Sequence, residues 1–140
     1  MRPSSAIAVA PPIALNHAFV CCLHLALLLL LYFQTFSFDY VYFDDADDVI
    51  ENPGVMGGLT IDGIRWAFTS FYMSNWHPLT WLSHMLDVSL FGPAPGWAHL
   101  HNAGLHLINS LLVYALLLKL SGSWIKACIL SLVFLAHPLH

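Results

Sequence analysis

Acidic side chains crowd one short stretch of an otherwise apolar sequence. Most of the eight aspartate and glutamate residues lie between positions 39 and 51, namely Asp39, Asp44, Asp45, Asp47, Asp48 and Glu51. The whole chain is 59% hydrophobic and only 9% charged, so this concentration of negative charge stands out. Carboxylates this close together repel one another unless a cation or a hydrogen-bonding substrate compensates their charge. The stretch is therefore a candidate catalytic segment, and the alternative is a solvated acidic loop.

The spacing of these acids argues against an EF-hand calcium site. Such a loop needs an oxygen ligand at its third position, where a loop starting at Asp44 has Ala46. A divalent cation is compatible with the carboxylates but is not required by them. If the stretch is extended, Asp45 and Asp47 lie on one face of it. Asp44 and Asp48 then lie on the other face, so that one face points into a site and the other meets water.

Polar residues recur at helical spacing farther along the chain. One helical face carries His99, Asn102, His106 and Asn109. Polar side chains inside a membrane are costly when they face lipid, so we expect this face to look into a helix bundle or a water-filled cavity. Interhelical hydrogen bonding and direct contact with a substrate both remain open. The nine histidines lack the H-x-x-x-H and Cys/His spacings of metal sites, so no metal ligand is predicted and the cofactor is unknown.

Long apolar runs indicate an all-α, polytopic membrane protein, as does the mean hydropathy of +0.72. The predicted order is a tail (1–17), a first span (18–36), an outer loop (37–102), a second span (103–120), a turn (121–123) and a third span (124–140). The first two runs cover roughly 28 Å each, which matches the hydrocarbon core of a bilayer. The third run stops inside its element, so we expect this sequence to be the N-terminal part of a longer protein.

Positive charges near the spans predict the orientation. Arg2, Lys119 and Lys126 fall on one side of the membrane, and Arg65 alone lies in the long loop. Because cytoplasmic segments are enriched in lysine and arginine, the N-terminus is predicted to be cytoplasmic. The loop would then face the periplasm of a bacterium, at its inner membrane, or the lumen of the endoplasmic reticulum in a eukaryote. No basic patch for nucleic acid is present.

Two helices are predicted in the outer loop. The first follows Thr60 and has an apolar stripe formed by Ile61, Ile64, Phe68 and Phe71. Thr60 suits the N-cap position, and the stripe would either lie along the membrane interface or pack against other parts of the loop. The second helix is expected to start at Pro78 and to end before Gly92, because proline favours the first helical position and Gly92-Pro93 does not continue a helix.

Four motifs together resemble a known family. They are Asp44-Asp45-Ala46-Asp47-Asp48-Val49-Ile50-Glu51-Asn52-Pro53, Asn75-Trp76-His77-Pro78-Leu79-Thr80-Trp81-Leu82-Ser83, His99-Leu100-His101-Asn102 and Ala136-His137-Pro138-Leu139-His140. In this order they resemble the transmembrane and tetratricopeptide-repeat glycosyltransferase-like proteins. That family has a C-type glycosyltransferase membrane fold followed by tetratricopeptide repeats, and some eukaryotic members are protein O-mannosyltransferases that use a dolichol-linked donor.

The resemblance assigns catalysis to the acidic motif of the first outer loop. The catalytic aspartate, a general base, maps onto Asp45, Asp44 or Asp47, with Asp45 preferred. The family's aspartate string is interrupted here by Ala46, and Asp48 stands where relatives carry an aromatic residue or histidine. Residues of the other motifs and of the polar face are assigned to substrate binding, namely His77, His99, Asn102 and His106.

The expected function is transfer of a sugar from a polyprenyl-phosphate donor to an acceptor hydroxyl, expected on a protein. The partners are then membrane lipid, the lipid-linked sugar donor and the protein acceptor. Because phosphate leaves as a stable anion, one carboxylate acting as base suffices and no general acid is needed. Residues 1–140 alone are expected to be inactive. The alternatives are a non-catalytic membrane anchor or assembly module for a tetratricopeptide-repeat domain and, more weakly supported, an ion or proton pathway along the histidine and asparagine face.

The orientation is testable with reporter fusions. An enzyme active only outside the cytoplasm should work when fused after Gly92, and one active only inside should work when fused after Gly122, because the positive charges hold the N-terminus in the cytoplasm. Reporter activity at the two fusion points is the measurement. The opposite pattern would rule out an outer-face site.

Overall fold

All regular elements of the described chain are helical, and none is a β-strand. The computed structural model describes residues 13–41 and 45–137. The elements in chain order are α1 (Ile13–Tyr32), a 3-10 turn (Phe33–Ser37), a π-helical turn (Ala46–Ile50), α2 (Pro53–Met56), α3 (Ile61–Thr69), α4 (Pro78–Phe91), α5 (Pro95–Ser121) and α6 (Trp124–Ala136). The all-α prediction is therefore confirmed for these residues.

Two helical segments, Asn16–Ser37 and Pro95–Ser121, are long and apolar enough to cross a membrane. Only 17% of the residues in the most apolar part of each are buried within the chain. Apolar helices with so little protein cover are expected where lipid surrounds them. Helix α6 has 13 residues and covers roughly 20 Å, less than the hydrocarbon core, so the third span remains a prediction.

Helix α5 begins at Pro95, well before the boundary at 103 that hydropathy suggests for the second span. Proline fits the first turn of a helix because its missing N–H would have no partner there. The last part of the loop placed at 37–102 therefore belongs to this helix. Residues 1–12 of the predicted tail and 138–140 of the predicted third span lie outside the described part of the chain.

The chain divides into two compact units, and the first comprises residues up to 31 and from 106 onward. Buried polar side chains join its helices. His24 of α1 is fully buried, and its Nδ1 donates to the Val20 carbonyl at 2.8 Å while its Nε2 lies 2.8 Å from the Ser131 hydroxyl of α6. The Ser110 hydroxyl of α5 donates to the Ser131 carbonyl at 2.9 Å. Hydrogen bonds between membrane helices contribute about 0.6 kcal/mol each, so this network adds directional contacts to apolar packing.

The second unit runs from Tyr32 to Leu105 and has its own apolar core. The buried residues of this core are Val49, Val55, Ala67, Trp81 and Met85. Trp81 is only 1% exposed, and its ring lies 4.9 Å from that of Trp66. Because these residues come from the π-helical turn and from α2, α3 and α4, the core fixes the acidic segment against three helices.

Local signals set the ends of the two loop helices as the sequence predicted. The Thr60 hydroxyl accepts from the Gly63 N–H at 3.0 Å and caps α3. Helix α4 begins at Pro78 and stops at Gly92, whose φ of 72° is a conformation that favours glycine. Both predicted helices are present, but α3 ends at Thr69, where the chain becomes extended, so Phe71 is not part of its apolar stripe. Helix α4 carries Trp81 and Met85 into the core.

Asn52 anchors the end of the acidic segment. Its side chain is fully buried, and Oδ1 accepts from the N–H groups of Gly54 at 3.0 Å and Val55 at 3.3 Å. Nδ2 donates to the Asp48 carbonyl at 3.3 Å. The same side chain thus caps α2 and holds the π-helical turn, which places a short helix and the acids in a fixed relation.

The loop ends approach each other closely at Gly96. A Cβ at this position would collide with the carbonyl oxygen of Phe36. Beside it, the Trp97 ring stacks on Phe91 with centroids 4.3 Å apart and meets the edge of Phe36 at 5.3 Å. Only glycine permits this contact between the start of α5 and the 3-10 turn after α1.

Removing the Asn52 cap should destabilise the protein more than removing an exposed cap. Asn52→Ala leaves two N–H groups without their acceptor, one of them buried, and is expected to cost about 2 kcal/mol. Thr60→Ala is the matched control, because it removes one exposed cap bond and should cost about 1 kcal/mol or less. Thermal unfolding of the detergent-solubilised protein measures both. Equal losses for the two variants would contradict the anchoring role of Asn52.

Candidate active site

The described part of the acidic segment is helical from Ala46 to Ile50, so the condition of an extended segment is not met there. Residues Ala46–Ile50 form a π-helical turn, and period-two alternation of the aspartates does not apply. Tertiary contacts impose the turn, because Val49 is buried in the core (3% exposed) and the Asn52 side chain donates a hydrogen bond to the Asp48 carbonyl. Asp45, Asp47 and Asp48 are partly exposed, and Asp44 lies outside the described residues. Single π-helical turns occur frequently at functional sites.

Asp45 is held by a backbone hydrogen bond. Its Oδ2 accepts from the Val41 N–H at 2.9 Å. A hydrogen bond of this kind restrains the position of the carboxylate. Asp45 therefore stands at the start of the helical turn in a defined position, while remaining accessible.

A second carboxylate, not singled out by the sequence, lies in the same unit. Asp87 of α4 is 7% exposed, and its Oδ1 accepts from Nδ1 of His101 on α5 at 2.7 Å. Aspartate is rarely buried unless it is paired. The sequence did contain a signal for a buried acid, because Asp87 is a lone acid in an apolar helix, three residues after His84. Its partner on α5 could be identified only from the folded structure.

Electrostatics connect the acidic segment with this buried pair. Burial lowers the pKa of His84; Asp87, Asp45 and Asp48 oppose that shift, and His101 adds to it. Burial raises the pKa of Tyr40, and Asp87 and Asp45 raise it further. His84 is thereby held as neutral imidazole and Tyr40 as neutral phenol near pH 7. We call this set the polar cluster: Tyr40, Asp45, Asp48, His84, Asp87 and His101.

Two imidazole nitrogens near the cluster are buried without a hydrogen-bond partner among the described residues. They are Nδ1 of His84 and Nε2 of His99. The His99 ring packs 6.3 Å from that of Tyr40. An unpaired buried polar atom costs about 1–3 kcal/mol, and such atoms call for an explanation at a functional site. Both nitrogens are therefore buried polar atoms that the described residues leave unpaired.

A pocket of about 270 Å³ opens beside the buried pair. Asp87 and His101 form its polar wall. Its other walls are apolar and come from Leu86, Leu90, Phe91, Trp97 and Leu100. An apolar pocket with a small number of convergent polar groups is typical of a small-molecule site.

The remaining predicted site residues lie apart from the polar cluster. His77 is exposed at the start of α4 and lines a groove with Trp76 and Leu79. Asn102 is exposed on α5. His106 belongs to the other unit, where its Nε2 donates to the Leu135 carbonyl of α6 at 3.0 Å. That bond is the interhelical alternative considered for the polar face. In the described part of the chain, no three His, Cys, Asp or Glu side chains are grouped to hold a metal ion.

The low basicity of buried His84 predicts a pH dependence of stability. Its pKa lies below the ordinary 6.5 in the folded state, so the unfolded state binds more protons between the two values. The His84 contribution is fully present above pH 6.5 and is lost as pH falls from there through the folded pKa. The unfolding temperature in detergent should therefore decrease less between pH 7.5 and 5 for His84→Gln than for the wild type. Parallel curves would contradict this role.

Comparisons of this chain with protein-family models, with curated proteins and with solved structures gave no match. The resemblance drawn from the four motifs therefore remains a prediction. Any function assigned to the chain depends on the chemistry of the polar cluster and on the two apolar helices that flank it in sequence.

Proposed function

We propose that this chain is the membrane part of a glycosyltransferase that moves a sugar from a polyprenyl phosphate to an acceptor hydroxyl on a protein. The observation that carries the proposal is the position of Asp45. Its carboxylate is fixed by the Val41 N–H and shares the polar cluster with buried Asp87. The cluster lies in a loop between two helices long enough to span a bilayer, where a lipid-held sugar is presented.

The chemistry required matches the groups available. The bond from the anomeric carbon to phosphate breaks without a proton donor, because phosphate is a stable leaving group. Catalysis then needs an acceptor for the hydroxyl proton and negative charge near the anomeric carbon, where positive charge develops. Asp45 is the catalytic carboxylate of this proposal, with Asp44 or Asp47 as its neighbour. Hydrolysis by a glycosidase normally uses a carboxylic acid as proton donor as well.

Membrane placement is part of the proposal. The protein is a multi-pass protein of the bacterial inner membrane, or of the endoplasmic reticulum in a eukaryote, with the loop on the outer face. The apolar stripe of α3 supports contact with lipid, because Ile61 is 80% and Phe68 49% exposed. Aromatic and aliphatic side chains on one helix face suit the headgroup boundary. The loop would thus rest on the surface from which the donor is taken.

Replacing Asp45 tests the catalytic assignment. In the full-length protein, Asp45→Asn keeps the size of the side chain and removes its charge, so transfer from polyprenyl-phosphate-linked sugar should fall about a hundred- to ten-thousand-fold. Asp62→Asn is the matched control, since this loop carboxylate is 93% exposed and only 3.7 Å from Arg65. It should leave transfer unchanged, and Asp48→Asn should have a mild effect.

Product formation with radiolabelled donor, together with membrane insertion, is the measurement. If all single Asp→Asn variants of the acidic segment kept near-normal transfer, the catalytic assignment would be wrong and the segment would be only a solvated surface. Absence of transfer by the wild type would favour the anchor or assembly module instead.

A further inference from the structure

The Asp87–His101 pair has the geometry of an acid–base dyad. The buried Asp87 carboxylate accepts from Nδ1 of His101 at 2.7 Å. With Nδ1 donating, the lone pair of the neutral ring is on Nε2. The side chain of His101 is 26% exposed and lines the apolar pocket. The imidazole is therefore oriented by the carboxylate at Nδ1 and is partly exposed at the pocket, an arrangement in which a carboxylate prepares a histidine to act as a base.

We propose that His101, oriented by Asp87, removes the proton from the acceptor hydroxyl in the transfer reaction. This inference rests on the proposed function and names the group that accepts the proton. Asp87 is a positioning residue, because it acts through His101. Asp45 then serves at the sugar, where its negative charge stabilises the positive charge that develops at the anomeric carbon.

Base strength distinguishes the two candidates. Carboxylates ordinarily titrate near pH 4 and imidazoles near pH 6.5, and a base works best when it titrates near the operating pH. One oxygen of the Asp45 carboxylate, Oδ2, is already occupied by the hydrogen bond from the Val41 N–H. The His101 imidazole has its supporting carboxylate on the opposite side of the ring.

No group of the polar cluster carries a permanent positive charge. Burial lowers the pKa of His84, so this imidazole places no positive charge beside the imidazolium that forms. Three members of the cluster, Asp45, Asp48 and Asp87, are carboxylates, and Tyr40 is a neutral phenol. An imidazolium that forms during the reaction therefore meets no fixed positive charge.

The pocket indicates the class of acceptor. Its walls beside His101 are aliphatic, from Leu90 and Leu100, and aromatic, from Trp97 stacked on Phe91. A hydroxyl delivered to Nε2 from this side is therefore carried on an apolar or aromatic group. A fully hydrated acceptor would leave these walls without favourable contacts.

The step balances without a further reactant. The acceptor oxygen forms a bond to the anomeric carbon as the bond from that carbon to the phosphate oxygen breaks, and the phosphate oxygen keeps the electron pair. The hydroxyl proton moves to Nε2 of His101. The resulting imidazolium, paired with the Asp87 carboxylate, later releases this proton to water.

The pH dependence of transfer tests the assignment in the full-length protein. With radiolabelled polyprenyl-phosphate sugar and a peptide acceptor, wild-type kcat/KM should fall by up to tenfold per pH unit at acid pH, in the range where imidazoles ordinarily titrate and above that of carboxylates. Asp45→Asn should lower the rate at every pH but keep this fall of kcat/KM at acid pH, which we call the acid limb. His101→Gln should lower kcat about a hundred- to ten-thousand-fold with little change in KM, and Asp87→Asn should lower it and displace the limb. Asp62→Asn is the control for loss of a loop carboxylate.

Each outcome decides between the candidates. A wild-type acid limb near pH 4, or normal transfer by His101→Gln, would overturn the role of His101 and leave the proposed function standing. If Asp45→Asn lost the acid limb and no other variant did, Asp45 would be the base. Absence of transfer by the wild type would end both proposals. The wild-type profile decides the matter even where a His101 variant does not fold.

Discussion

A buried carboxylate, Asp87, sets the chemistry of the loop. An ionised side chain removed from water requires a partner, and His101 supplies it at 2.7 Å. The requirement ties α4 to the first turns of α5. Its neighbours are neutral chiefly because they are buried: burial lowers the pKa of His84 and raises that of Tyr40, while Asp87 opposes the first shift and adds to the second. The charge balance of the site therefore depends on burial together with this one paired carboxylate.

The apolar core fixes the positions of the charged and polar side chains of the cluster. Trp81 and Met85 are on the same helix as His84 and Asp87, so the side chains that fill the core also set the position of the cluster. Val49 places the acidic turn against the same core. A substitution that displaced Trp81 would shift the core and the polar groups together, because protein interiors are closely packed and transmit strain.

Features governed by neighbours in sequence could be predicted, and those governed by tertiary contacts could not. The starts of α3 and α4 follow from Thr60 and Pro78, which act within one turn. The helical turn at Ala46–Ile50 depends on the burial of Val49, and the pairing of Asp87 with His101 joins two helices. Charge density marked the acidic segment, whereas the buried acid gave only the weak signal of one charge in an apolar helix.

The contact at Gly96 closes the segment between the 3-10 turn and α5 into a ring of chain. The backbone of Phe36 lies against position 96, so the two ends of the loop are held together. The conformational entropy of loop closure is lost through this contact, whatever the conformation of the rest of the loop. Loop-closure entropy rises only with the logarithm of length, by about 0.6 kcal/mol per doubling. Residues added at the tip around Met73 and Ser74, where φ is positive, would therefore lower stability only slightly. At the base, by contrast, the close approach of the Phe36 carbonyl requires glycine at position 96.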